Sequence, residues 1–201
     1  MPVPKPDLYY DFHQILTLAG RVASSIRESG QRYHGIVGIA NGGLVPTALI
    51  STLTGLPVLD LMRLRRYNDE EEDSDRMPEI LRWPKRENVE DRDLLLTDDV
   101  VDEGYSFIRG RQLVVNDFGA RLVHGAVLDF KLGPRKKHFP DLRVDYIGTV
   151  HPGRPWIQYS PWEAAGATHE NALLMLVSMG HLQRSLVDRL LGQLREQPVV
   201  A

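Results

Sequence analysis

At 201 residues, with 42% apolar and 25% charged side chains, the chain has the composition of an ordinary globular protein, and a single domain over 1–201 is the simplest organisation. A net charge of -3 offers no basic field for nucleic acid and no polybasic patch for a membrane, and the absence of cysteine excludes disulfides, thiolate nucleophiles and cysteine-held metals. No apolar run approaches the roughly 20 residues that cross a bilayer, and the start Met1-Pro2-Val3-Pro4-Lys5-Pro6 lacks the features of a signal peptide, so a cytoplasmic, enzyme-like domain is expected.

After that proline-rich lead, Asp11 to Ser29 reads as an amphipathic helix, with Phe12, Ile15, Leu16, Ala19, Val22 and Ile26 on one face and Gly30 as its stop. Gly35 to Ala40 is a continuous apolar run, as in a strand buried on both faces. It leads into Asn41-Gly42-Gly43-Leu44-Val45-Pro46-Thr47 and a helix through Leu53. Paired glycines between strand and helix let the backbone approach a ligand closely and make an anion seat; a tight turn without a ligand is the plainer alternative. Leu56 to Leu61 supplies the next parallel strand. Arg63, Arg65 and Arg66 crowd its carboxyl end, either to meet phosphate or as a solvated basic edge. Asn68 to Asp91 has no regular pattern and carries an acidic run (69–75), then Trp83-Pro84-Lys85-Arg86. A connection of that length inside a compact domain is functional or disordered.

The central stretch runs from Leu94 through Leu95, Leu96 and Thr97 to Asp98, Asp99, Asp102, Glu103, Gly104, Tyr105 and Ser106. A buried strand turns acidic, passes a glycine and enters a helix (Ser106 to Phe118), the place where open α/β sheets hold their ligands. Backbone amides from Glu103 to Ser106 can form a nest at the helix N-terminus that cradles a phosphate. Asp98, Asp99 and Asp102 then stand on its lip, suited to sugar hydroxyls, a hydrated metal ion or a proton.

Phe107, Val114 and Phe118 form one face of that helix, which Gly119 ends. Arg121 to Phe130 is a strand ending at Lys131, a residue placed either to meet a ligand or simply at the surface. Arg135 to His138 reads as an exposed loop and Val144 to Val150 as a further strand. Trp156-Ile157-Gln158-Tyr159-Ser160-Pro161-Trp162-Glu163 holds two tryptophans, one of which offers a flat platform for a heterocycle unless both are core. Thr168 to Glu196 is a leucine-rich helical segment that must bury its apolar face on the body or on another subunit. The histidines lack the H-E-x-x-H spacing, Ser51 and Ser106 have no convincing His/Asp companions for nucleophilic catalysis, and no Walker A sequence is present.

The central stretch resembles the phosphoribosyl pyrophosphate signature of the type I phosphoribosyltransferases. Asp98, Asp99, Asp102, Gly104 and Ser106 match it; Glu103 and Tyr105 stand where most members have threonine and a small residue. Gly42, Gly43, Leu44 and Pro46 fit the family's R-G-G-L-x-P pyrophosphate loop, with Asn41 in place of arginine. Trp156-Ile157 and Pro161-Trp162-Glu163 resemble the W-I-x-x-P-W-[DE] segment of xanthine-guanine and related purine members, lengthened by one residue.

That resemblance, running from about Gly35 to Glu163, implies an α/β fold with a central, mostly parallel sheet flanked by helices. It adds a mobile hood at about 63–92, and the helical segment at about 168–196 is then an extension. The implied reaction moves ribose 5-phosphate from phosphoribosyl pyrophosphate to a 6-oxopurine with release of pyrophosphate, Mg²⁺ as cofactor and a homodimer or larger assembly. Asp98 and Asp99 would hold the ribose side and the metal, and Asp102 would accept the purine proton. The backbone of Glu103, Gly104, Tyr105 and Ser106 would take the 5-phosphate; Asn41, Gly42 and Gly43 would seat the pyrophosphate, with Lys85 or Arg86 brought in by the hood. Lys131 would bind the exocyclic oxygen, Trp156 would stack on the base, and the backbone at Ile157 would read the ring edge. An ionised Glu103 repels a dianionic phosphate, so its side chain is expected to turn toward solvent or a basic partner. Two other readings stand beside this one: a non-catalytic relative that binds the activated sugar or a nucleotide, and a transferase with a different acceptor.

Overall fold

The computed structural model describes residues 6–65, 77–133 and 139–159, together with Arg184, Ser185 and Asp188. The chain divides into two compact units, residues 14–155 and the pairing of 1–13 with 156–201.

In the smaller unit, β1 (Leu8–Tyr10) pairs in parallel with β8 (Ile157–Tyr159), Leu8 opposite Ile157 and Tyr10 opposite Tyr159. The Asp7 carboxylate accepts the Trp156 N–H at 2.8 Å, while the Asp7 N–H donates to the Trp156 carbonyl at 2.9 Å. The end of the lead therefore becomes a strand, because its partner lies some 150 positions away and no local pattern marks it. The Pro161-Trp162-Glu163 segment, the loop at 135–138 and most of the expected C-terminal helices lie outside the described residues.

The larger unit is built on a six-stranded sheet in the order β4-β3-β2-β5-β6-β7. These are β2 (Gly35–Ala40), β3 (Val58–Arg65), β4 (Glu79–Arg82), β5 (Asp93–Val101), β6 (Leu122–Lys131) and β7 (Tyr146–His151). All neighbours pair in parallel except β4, which runs antiparallel to β3 at the edge. Helices α1 (Phe12–Glu28), α2 (Leu44–Thr54) and α3 (Tyr105–Gln112) complete the layers, and the last turn after α3 widens into a π segment, Leu113–Asp117.

Alternation along the central strand decides the layering. Leu94 and Leu96 of β5 pack with Val37, Ile39, Met62, Phe107 and Val114, under α3. Leu95 points the other way, to Val22, Ile26, Ile36 and Ile50, under α1 and α2. A parallel strand covered on both faces reads as an uninterrupted apolar run, which is what Gly35 to Ala40 and Leu94 to Leu96 show. On α1 the buried stripe is Ile15, Leu18, Ala19, Val22, Ala23 and Ile26, whereas Phe12 and Leu16, expected inside, are exposed. Leu16 falls at the margin of the stripe, and Leu18 packs in its place. Among the described residues no helix is long and apolar enough to cross a membrane.

Candidate functional site

The strand order reverses direction between β2 and β5: the chain leaves β2 through α2 toward β3 on one side and later continues from β5 toward β6 on the other. Ligands of open α/β sheets bind in the crevice at such a switch point, outside the carboxyl ends of the strands. The two glycine-bearing turns open there side by side, because Gly38 of β2 stands opposite Thr97 of β5. Below them, Thr47 Oγ1 in the first turn of α2 and Thr97 Oγ1 share a buried hydrogen bond of 2.5 Å, which ties the helix to the strand.

The 41–43 turn presses against the acidic end of β5. A Cβ on Gly42 would collide with the Asp99 carboxylate. One on Gly43 would stand 2.5 Å from the Ile39 carbonyl oxygen and 2.9 Å from the Asp98 Cα. Gly43 has an ordinary helical backbone (φ -70°, ψ -1°), so space and not conformation demands glycine there. The Ala40–Asn41 peptide bond is cis. The Gly43 N–H donates to Ile39 O at 3.0 Å and the Leu44 N–H to Asn41 O at 3.1 Å, so the turn's amides not used within it are those of Asn41 and Gly42.

Strand β5 does not stop at the apolar run but continues through Asp98, Asp99 and Val101, since β6 supplies partners as far as Phe130. Both aspartates are thereby buried. Asp98 Oδ1 accepts the Asp99 N–H at 3.0 Å, and Asp99 Oδ1 accepts the Val100 N–H at 2.7 Å. Burial raises the Asp99 pKa above the ordinary carboxylate range; hydrogen bonds from Asp98 and the backbone oppose the rise, and the Asp129 carboxylate adds to it. Asp129, wholly buried on β6, pairs with His151 Nε2 at 2.6 Å. Among the described residues no three metal-ligating side chains converge. A pair of adjacent oxygen donors suits a hard cation that keeps its waters and takes further oxygens from a phosphorylated substrate, not a closed protein cage.

Beyond β5 the bend at 102–104 enters α3 through Gly104, whose φ of +96° is open to glycine at little cost. The first intrahelical bond runs from the Ile108 N–H to Gly104 O (2.9 Å), so the amides of Ser106 and Phe107 precede it and face out of the helix end. Tyr105 buries its ring edge-on against Phe139, with centroids 4.9 Å apart, which leaves only its backbone for the cradle; Ser106 is half-buried. Lys131 is not surface decoration. It is buried at the end of β6, with Nζ 2.9 Å from Asp102 Oδ2. Asp102 Oδ1 is shut off from solvent and has no hydrogen-bond partner among the described residues. The Glu103 carboxylate, expected to find solvent or a cation, is buried and paired with the Arg154 guanidinium at 3.2 Å.

In this structure Lys85 and Arg86 stand away from the crevice. The buried Asp60 carboxylate of β3 accepts the Lys85 N–H at 2.8 Å and the Asn88 side-chain amide at 3.0 Å, drawing the chain after β4 down toward the amino ends of the strands. Burial alone pushes the Asp60 pKa up, but the N–H groups of Lys85, Asn88 and Leu61 outweigh it and hold the carboxyl below its usual range. The Lys85 ammonium is exposed beside Glu87, and Arg86 binds Glu90 and the Asp117 carbonyl while covering the Phe118 ring. Arg63, by contrast, is exposed on β3 opposite Ala40, level with the glycine turn. Trp156 and Ile157 belong to the smaller unit. Sequence reasoning missed Asp129, although a lone carboxylate inside the apolar run 125–130 is a usable signal, and it missed Arg154, for which spacing gives none.

The model of the phosphoribosyl transferase domain matches residues 7–156. The chain belongs to the phosphoribosyl transferase family. A curated relative, the xanthine-guanine phosphoribosyltransferase of Cereibacter sphaeroides, is 32% identical over 73 residues, which span 36% of this chain and 42% of that protein. The alignment thus covers less than half of that relative's length. Among solved structures, a hypothetical protein from Neisseria gonorrhoeae with bound ppGpp superposes with a TM-score of 0.66 at 21% identity, over 82% of this chain and 93% of that one. The purine phosphoribosyltransferase of Pyrococcus horikoshii gives 0.62 at 23%, over 81% and 97%. At such identities the likeness is one of fold, and it bears out the α/β architecture with a central, mostly parallel sheet read from the sequence.

Proposed function

We propose that this member of the phosphoribosyl transferase family moves ribose 5-phosphate from phosphoribosyl pyrophosphate to a ring nitrogen of a 6-oxopurine (guanine, xanthine or hypoxanthine) and releases pyrophosphate, as a cytoplasmic purine-salvage enzyme and a homodimer or larger. The observation that carries this reading is the abutment of Gly42 and Gly43 on Asp98 and Asp99 at the switch point, with the 102–106 bend opening into α3 beside them.

In this reading the amides of Glu103 to Ser106 and the Ser106 hydroxyl hold the 5-phosphate. Asn41 and Gly42 present amides to the pyrophosphate, the Gly43 N–H being engaged within the turn, and Arg63 takes the role expected of Lys85 or Arg86. Asp98 and Asp99 are the residues that would hold Mg²⁺, which when bound screens the pyrophosphate charge. As the bond from the ribose C1 to the pyrophosphate oxygen breaks, its electron pair leaves with pyrophosphate and positive charge grows on the sugar. Fixed carboxylates at Asp98 and Asp99 favour that state over the ground state. The purine nitrogen forms the new bond to C1, and the Asp102 carboxylate, held through Oδ2 by Lys131, takes its proton. Lys131 also faces the exocyclic oxygen of the base. The resemblance alone assigns the base's flat face to Trp156 and its ring edge to the backbone at Ile157.

A second reading, in which the chain binds the activated sugar or a nucleotide without turnover, draws on Asn41 in place of arginine and on the Neisseria neighbour, whose structure holds ppGpp. Incubation with phosphoribosyl pyrophosphate, Mg²⁺ and a panel of bases, followed by a pyrophosphate assay, separates the two. Release that depends on a 6-oxopurine supports the transferase; saturable binding with no release supports the sensor.

A further inference from the structure

Glu103 is an anomaly in a phosphate cradle: a buried carboxylate between Asp102 and Gly104, at the mouth of the helix whose first amides are read above as the 5-phosphate seat. Unpaired, it would oppose a dianion there. Arg154 answers it from the segment that follows β7, 51 positions along the chain. One guanidinium nitrogen lies 3.2 Å from Glu103 Oε1, and Nε lies 3.7 Å from Asp102 Oδ1. With Lys131 on Asp102 Oδ2 at 2.9 Å, two cations and two carboxylates form one chain of contacts across the bend. The Arg154 side chain is otherwise largely exposed, so its fixed position follows from these acidic partners.

We infer that Arg154 is a positioning residue for the sugar-phosphate substrate: it clamps the Glu103 carboxylate out of the cradle and so makes an acidic residue compatible with phosphate at this position. The inference deepens the transferase reading and rests on its assignment of the 102–106 bend to the 5-phosphate. Arg154 and Glu103 act as a pair, and the pair sets affinity for the phosphorylated sugar; Arg154 also reaches the Asp102 carboxylate at 3.7 Å.

The test measures binding of ribose 5-phosphate, a probe that carries the monophosphate and no pyrophosphate, by calorimetry, alongside steady-state kinetics. Arg154→Ala should weaken ribose 5-phosphate binding by about tenfold or more. It should raise KM for phosphoribosyl pyrophosphate by a similar factor and lower kcat by a smaller one, through the lost contact to Asp102. Arg154→Lys should recover part of the loss. Adding Glu103→Gln to Arg154→Ala removes the carboxylate charge and should return binding to within about threefold of the native chain. Unchanged binding in Arg154→Ala, or no rescue by Glu103→Gln, overturns the inference. Should Arg154→Ala fail to fold, Glu103→Gln alone must bind ribose 5-phosphate at least as tightly as the native protein, and weaker binding overturns it too. If the folded native chain binds neither sugar phosphate, the transferase reading falls first and this inference with it.

Discussion

Replacing Gly43 by alanine tests the packing of the glycine turn on the acidic strand. At φ -70°, ψ -1° alanine is conformationally at ease. By restricting the unfolded chain it should even gain about 0.4–1 kcal/mol. Against that, the new methyl would stand 2.5 Å from Ile39 O, 2.9 Å from Asp98 Cα and 3.0 Å from Thr97 O, all of them main-chain atoms. Carbon contacts settle near 3.5–4.0 Å, so the turn and β5 must part by roughly 1 Å. Overpacking of this kind costs about 1–3 kcal/mol, leaving a net loss of about 1–2 kcal/mol and a fall in Tm of roughly 3–6 °C. The same displacement separates the Asn41 and Gly42 amides from Asp98 and Asp99, and affinity for phosphoribosyl pyrophosphate should drop by about tenfold or more. Urea titration and calorimetry measure the two effects. Gly20→Ala is the control: apart from the helix's own backbone, no atom lies within 4 Å of its new methyl in the middle of α1. That change should stabilise the protein by about 1 kcal/mol. A Gly43→Ala protein as stable as the native one, with unchanged affinity, refutes the reasoning.

Asp60→Ala strands the Lys85, Leu61 and Asn88 donors and should cost about 2–4 kcal/mol in urea titration; a loss under about 0.5 kcal/mol would remove its role as anchor of the segment after β4. The folded Asp60 pKa is depressed, so its contribution is full above the unfolded value of about 3.9 and is lost as pH falls through the folded value. Asp60→Asn should therefore flatten the acid limb of stability against pH, and superimposable limbs would contradict that. Asp102→Ala should lower turnover by about 10²-fold or more, and full turnover would remove it as the proton acceptor. Lys131→Met should reduce discrimination between 6-oxo and 6-amino purines by about tenfold or more, read as a ratio of kcat/KM values; an unaltered ratio would return Lys131 to a purely structural pairing with Asp102.

The stretches legible in the sequence are those whose signal is local. Gly35 to Ala40, Leu94 to Leu96 and the strand ending at Lys131 announce burial on both faces by composition alone, and the paired glycines and Gly104 mark turns that any longer side chain would block or strain. From these came the strand–turn–helix units, the carboxylates at the strand end and the α/β class. A resemblance read from the same residues pointed to the family to which the chain belongs.

What remained depended on which strand lies beside which. Strand β5 extends through its aspartates because β6 continues to pair with it, and that pairing buries the carboxylates and lifts the Asp99 pKa. Asp60 draws the chain after β4 down the sheet and carries Arg86 away from the crevice. Lys131 and Arg154 reach Asp102 and Glu103 from 29 and 51 positions away. Periodicity and turn chemistry report each residue's neighbours along the chain. Contacts made across a sheet depend on strand order and register, and those exist only once the whole chain has folded.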